Sequence, residues 1–237
     1  MKNKRKIILL VILLLTLIVL GVLLFLNLNK EDKKTNINTD AVKFKEEYES
    51  LNGSEVENGY AYPEVALEDN NPFVYTSVND AIKALENGTG IIYFGYSSCP
   101  WCRNAVNVLQ HVNINEILYV DTKNIRDTYE VIDGVLTKTK EGTDGYYKLL
   151  ELLDSVLEDY LVDGISTGEK RMYVPLVVGV KEGEIVGFHE ATVDLNDGQT
   201  AYDALTDDQQ EELKDVYDEI ISKVNANVCD IDSDQGC

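Results

Sequence analysis

The sequence predicts an α/β domain, a central mixed sheet with flanking helices, preceded by one N-terminal transmembrane helix. Three observations predict it. A long apolar run lies near the N-terminus; short apolar strands then alternate with segments of helical period; and two late strands joined by a tight turn lead into one long amphipathic helix.

Ile7–Leu26 is apolar except for Thr16 and Gly21, the length an α-helix needs to cross the hydrocarbon layer. It lacks the short apolar core and small-residue cut site of a cleavable signal, so residues 7–28 read as a retained anchor. Lys2, Lys4, Arg5 and Lys6 precede it in a basic segment, residues 1–6, which stays cytoplasmic and leaves the rest extracytoplasmic. Residues 29–71 read as a tether and N-terminal extension, with a short charged helix from Ala41 to Leu51. Asn52-Gly53-Ser54 and Asn87-Gly88-Thr89 match the short glycosylation acceptor pattern.

The folded core is expected over residues 72–228. Phe73–Tyr75 is a strand; Val78, Ala81, Ile82 and Leu85 mark a helix that Asn87-Gly88 stops; Ile91–Tyr96 is a second strand. A helix then runs to about Val112, followed by a strand at Ile117–Val120. Residues 122–172 form a helical insertion, with a helix from Asp144 to Val162 carrying Leu149, Leu152, Leu153, Val156, Leu157 and Tyr160 on one stripe. Val174–Val180 and Glu184–Phe188 form a hairpin around Glu182-Gly183. Thr206 and Gln209 make a capping box for the last helix. No internal repeat is evident.

Against 21 basic residues the chain has 42 acidic ones, for a formal net charge of −21. The first thirty residues hold basic groups only, so the acidity falls on the remainder. Such a surface repels phosphate backbones and excludes nucleic acid as a partner.

Cys99-Pro100-Trp101-Cys102 joins the second strand to its helix. Two cysteines at this spacing can close a disulfide within the first helical turn, and the positive end of the helix favours a thiolate on the leading sulfur. Cys99 is the candidate nucleophile and Cys102 the resolving thiol. In an exported chain the four cysteines pair by proximity as Cys99–Cys102 and Cys229–Cys237, one of three possible connectivities. A zinc site would need two more ligands, and Cys229, Cys237, His111 and His189 stand at unsuitable spacing. The tail at 229–237 alternates acids as a calcium loop does, but lacks the sixth-position glycine and the final glutamate. His111 and His189 read as helix-end and strand residues. Arg103 is expected to face solvent, and Trp101 either presents an apolar surface to a peptide or packs on its own domain.

The element order, the dithiol opening the second helix and the proline opening the hairpin resemble the thioredoxin superfamily over about residues 72–228. Within it, the closest likeness is to membrane-anchored thioredoxin-like proteins of Gram-positive bacteria, some of them grouped with bacteriocin transport accessory proteins. The resemblance implies a cis bond before Pro175 and a Val174 backbone that pairs with an extended substrate strand beside Cys99. Pro100, Trp101, Val174 and Pro175 would then bind substrate. It also implies protein thiol–disulfide exchange with protein or peptide thiols and disulfides, a further redox partner, and no cofactor beyond the cysteine pair. The chain departs from the pattern in having Pro-Trp between its cysteines, Ser98 before them, and Tyr93 where thioredoxin has a buried acid. A tyrosine cannot serve as a carboxylate shuttle, so Cys102 must lose its proton by water or another group. The competing reading is a surface binding or accessory module that keeps the fold and its disulfide without turnover.

Overall fold

The computed structural model describes residues 39–56 and 59–226. The expected anchor at 7–28, Cys229, Cys237 and the acidic tail lie outside them; among the described residues no helix is long and apolar enough to cross a membrane.

Ile91–Phe94 is apolar at every position because its strand is covered on both faces. This strand, β2 (Gly90–Gly95), follows α1 (Thr39–Glu49), β1 (Phe73–Tyr75) and α2 (Val78–Asn87). After it come α3 (Pro100–Leu109) and β3 (Ile117–Asp121). The last three elements of the described residues are β8 (Leu176–Lys181), β9 (Glu184–Glu190) and α5 (Asp207–Asn225). Five strands form one mixed sheet in the order β1-β3-β2-β8-β9, with β2 parallel to β3 and antiparallel to β8.

Side-chain alternation along the strands divides the core in two. Ile91, Tyr93, Ile117, Tyr119 and Val177 point to one face, where Phe44 and Tyr48 of α1, Val106 of α3 and Leu213 and Tyr217 of α5 cover them. Ile92, Phe94, Val120, Leu176 and Val178 point to the other, beneath Ala81 and Leu85 of α2 and Leu149 of α4 (Asp144–Leu152). Phe44 and Tyr48 are fully buried, each stabilising by roughly 1.5–3 kcal/mol. The core therefore takes in α1, which precedes the expected start at residue 72.

Residues 122–172 differ from expectation. Two β-hairpins, β4 (Thr128–Ile132) with β5 (Val135–Lys140) and β6 (Glu158–Val162) with β7 (Ile165–Arg171), flank α4. The expected helix from Asp144 to Val162 ends at Leu152, gives one 3₁₀ turn at Asp154–Val156, and becomes strand at Glu158. Leu157 and Tyr160 are buried, so they satisfy a helical stripe and a strand equally well. The Asp163-Gly164 turn decides between them: both residues have positive φ, as do Asp133-Gly134 in the first hairpin, the signature of a two-residue primed turn. Ile132-Asp133-Gly134-Val135 and Val162-Asp163-Gly164-Ile165 are thus the same device used twice, a short repeat where none was expected.

Elsewhere the elements follow local signals. Thr206 and Gln209 form the expected capping box at the start of α5, and Glu182-Gly183 turns β8 into β9 with both residues at positive φ.

Candidate active site

Cys99 is the N-cap of α3 and Pro100 its first-turn proline. Proline fits there because its missing N–H has no helical partner in any case. The cap geometry turns the Cys99 sulfur back over the helix start, where it accepts from the Cys102 backbone N–H at 3.3 Å. On its other side Cys99 Sγ lies 3.6 Å from the Val174 carbonyl. The Val174–Pro175 bond is cis, as the resemblance implied. Through the Val174 carbonyl this loop lies against the dithiol; Pro100 and Trp101 follow Cys99 at the start of α3, and Pro175 follows Val174 just ahead of β8. Trp101 is half-buried and packs on the α1–α3–α5 core, the second of the two placements expected of it.

Both cysteines are thiols here, not the expected disulfide. Cys99 is 5% exposed and Cys102 fully buried, which leaves Cys99 as the outer sulfur. The Cys102 thiol beside it holds the Cys99 thiol below its ordinary value, helped by the Cys102 and Trp101 backbone N–H groups and Arg126, against the opposing effect of burial. Burial pushes the Cys102 thiol well up, and the neighbouring Cys99 adds to this. The pair thus divides into a ready nucleophile and a reluctant one, as sequential exchange requires.

A cation that acts on the Cys99 sulfur is Arg126, which sequence reasoning missed. Its guanidinium lies 4.9 Å from the Tyr96 ring centroid and donates to the Tyr96 hydroxyl at 3.0 Å. Arg126 is held by the insertion: next to it, buried Asp127 is clamped by Arg171 of β7, which donates to its carboxylate at 2.7 Å and its carbonyl at 2.9 Å. Arg171 in turn stacks over Tyr160 of β6. One structural role of residues 122–172 is therefore to bring a positive charge to the dithiol. No local motif signals it, because the contact joins segments distant in sequence.

Arg103, expected at the surface, is fully buried. It donates to Pro63 O at 2.7 Å, Tyr48 O and Asn52 Oδ1 at 2.6 Å and Ser97 O at 3.3 Å. These oxygens belong to the N-terminal extension and the turn before Cys99, so Arg103 staples the two together. Asn52 is occupied by this contact and by its two hydrogen bonds to Val65; this is a structural role for the residue that also matched the glycosylation pattern.

At the position of the missing acid, Tyr93 is fully buried and its hydroxyl lies 2.9 Å from that of Tyr48. Gly95, two residues on, leaves room for it: a Cβ there would lie 2.3 Å from the Tyr93 oxygen. His189 Nε2 hydrogen-bonds Thr192 O, and His111 lies just beyond α3. Among the described residues no group of three or more His, Cys, Asp or Glu side chains is placed to hold a metal ion. The chain matches no protein-family model, no curated protein and no solved structure.

Proposed function

We propose that the protein is a membrane-anchored, extracytoplasmic thiol–disulfide oxidoreductase with a thioredoxin-like domain, acting on protein or peptide thiols and disulfides. The observation that carries this reading is the asymmetry of the dithiol. Cys99 caps a helix with its thiol drawn down, Cys102 is buried with its thiol pushed up, and the Val174–Pro175 loop lies against the outer sulfur.

In the reductive direction the Cys99 thiolate attacks a substrate disulfide. One substrate sulfur leaves as thiolate and a mixed disulfide forms. Cys102, deprotonated, then attacks Cys99 Sγ; the second substrate sulfur leaves, and the Cys99–Cys102 disulfide closes. Two electrons pass to the substrate, and the reverse sequence oxidises substrate thiols. Arg126 and the start of α3 stabilise the Cys99 thiolate, while the Val174 backbone and Trp101 flank the sulfur that a substrate strand must reach.

The 5% exposure of Cys99 is what favours the other reading, an accessory module that binds a secreted peptide without turnover. Turnover of a disulfide-bonded peptide with excess dithiothreitol separates the two. The exchange reading expects Cys99→Ser to abolish catalysis and Cys102→Ser to accumulate a mixed disulfide through Cys99. Equal rates for the unaltered chain and Cys99→Ser would leave the binding module.

A further inference from the structure

Phe94, Leu176 and Glu190 stand in one row across β2, β8 and β9, since Phe94 pairs with Leu176 and Leu176 with Glu190. The row lies at the end of the sheet that carries the dithiol: Cys99 follows β2, and Val174-Pro175 precede β8. The Ala191 N–H, next to Glu190, donates to the Pro175 carbonyl at 2.8 Å. Two residues along a strand and one strand across put the Glu190 Cα roughly 8 Å from that of Val174, whose carbonyl is 3.6 Å from Cys99 Sγ. Val174 packs on both halves of the core, so the two faces of the sheet meet here. β2, which leads to Cys99, and β9, which ends at Glu190, flank β8 on opposite sides.

Glu190 does not serve the fold at this position. Its strand neighbour Leu176 is apolar and buried. The carboxylate is half-buried, and its Oε2 is buried with no hydrogen-bond partner among the described residues. Burial and Glu158 push the carboxyl up, and no cation offsets them. A desolvated carboxylate without a partner is destabilising, and a cation brought to it from outside restores what hydration supplied.

We propose that Glu190 is a specificity determinant of the redox site, and that the preferred substrates are polypeptides with a lysine or arginine within a few positions of the reacting cysteine. The assignment rests on the exchange reading above. A segment paired with the Val174 backbone, with its cysteine sulfur at Cys99, passes the end of β8 and β9. A long basic side chain on that segment reaches across Pro175, and its ammonium or guanidinium donates to the Glu190 carboxylate, a charge-assisted contact. Glu190 exchanges no bond and moves no electron; it acts by holding the substrate where Cys99 meets it. The net charge of −21 attracts cations to the whole surface, but that pull is long-ranged and screened by salt, whereas a half-buried contact is screened much less.

The test uses the full-length chain in detergent, with Cys229→Ser and Cys237→Ser, at pH 8 and about 0.2 M salt, with excess dithiothreitol. Its substrates are disulfide-bonded peptides that carry either lysine or norleucine, placed in turn at each of the three positions on either side of the cysteine. At one position or more, kcat/KM should favour lysine about 5- to 10-fold, as a partly desolvated ion pair would. Glu190→Gln should bring that ratio to about 1, and Glu190→Lys should reverse it. A ratio near 1 at every position, or a preference that survives in Glu190→Gln, overturns the assignment and leaves the exchange reading standing. Failure of the unaltered chain to turn over any peptide overturns the exchange reading and the assignment with it. Should the variants fail to fold, the lysine peptide trapped as a mixed disulfide on Cys102→Ser is treated with a carbodiimide and mapped by mass spectrometry. An amide between its lysine and Glu190 is expected, and amides to other carboxylates alone refute the contact.

Discussion

Replacing Arg103 by Met should cost the domain about 4 kcal/mol, although the residue makes no contact with substrate in the proposed reaction. The guanidinium is fully buried and its hydrogen-bond partners are neutral oxygens: Pro63 O, Tyr48 O, Ser97 O and Asn52 Oδ1. Three of these bonds measure 2.6–2.7 Å, and a bond to a charged donor contributes roughly 1.5–3 kcal/mol net. Simple addition would exceed the known cost of breaking a buried charged network, about 3–5 kcal/mol. Methionine also removes the cost of desolvating the charge while leaving acceptors unpaired, which places the net effect within that range. Arg103→Lys should fall between, because a single ammonium cannot span oxygens arranged for a planar fork. Urea unfolding followed by circular dichroism measures both, with the slope unchanged. A loss below about 1 kcal/mol for Arg103→Met would show that the extension is held by apolar packing alone, and the stapling argument would fail.

Two other perturbations follow from the electrostatics. Burial, with Glu158 nearby, pushes the Glu190 carboxyl from 4.5 up to about 7. The folded state therefore binds this proton more tightly than the unfolded chain, and stability is lost as pH rises from about 4.5 through 7. At 1.36 kcal/mol per unit, halved for partial exposure, the penalty is about 1–2 kcal/mol. Glu190→Gln should raise the urea midpoint at pH 8 and leave it unchanged near pH 4; equal shifts at both would refute the assignment. Arg126→Met should slow iodoacetamide alkylation of Cys99 about two- to fivefold at pH 7 and leave the rate at pH 10 unaltered, as expected for about 0.5–1 kcal/mol of Coulomb attraction near a protein surface. A uniform slowing across pH would mean altered access and not altered charge.

What could be read in the sequence was what neighbours in the chain decide. The apolar run of β2, the Cys-Pro-Trp-Cys start of α3, the Glu182-Gly183 turn and the Thr206–Gln209 box each depend on a few adjacent residues. Residues 153–162 could not be assigned by period, since Leu157 and Tyr160 fit helix and strand alike; the Asp-Gly turn was the better signal. Arg103 could not be placed because its acceptors come from segments far back in the chain. Arg126 acts on Cys99 from a segment whose next residue, Asp127, is clamped by Arg171, forty-four positions on. The aromatic cluster of Tyr48, Tyr93 and Tyr119 reads as ordinary core in sequence. Only the fold shows that the Tyr48 and Tyr93 hydroxyls meet each other and that Tyr119 donates to Glu47.

In the proposed reaction Cys99 and Cys102 exchange electrons with outside thiols. Equilibrating the full-length chain, with Cys229→Ser and Cys237→Ser, in glutathione buffers of graded redox ratio and trapping free thiols tests it directly. One reversible transition is expected, in which both thiols appear and disappear together, with Cys99 the first to be trapped. A pair that stays in one state at every ratio and changes only after denaturation would contradict it.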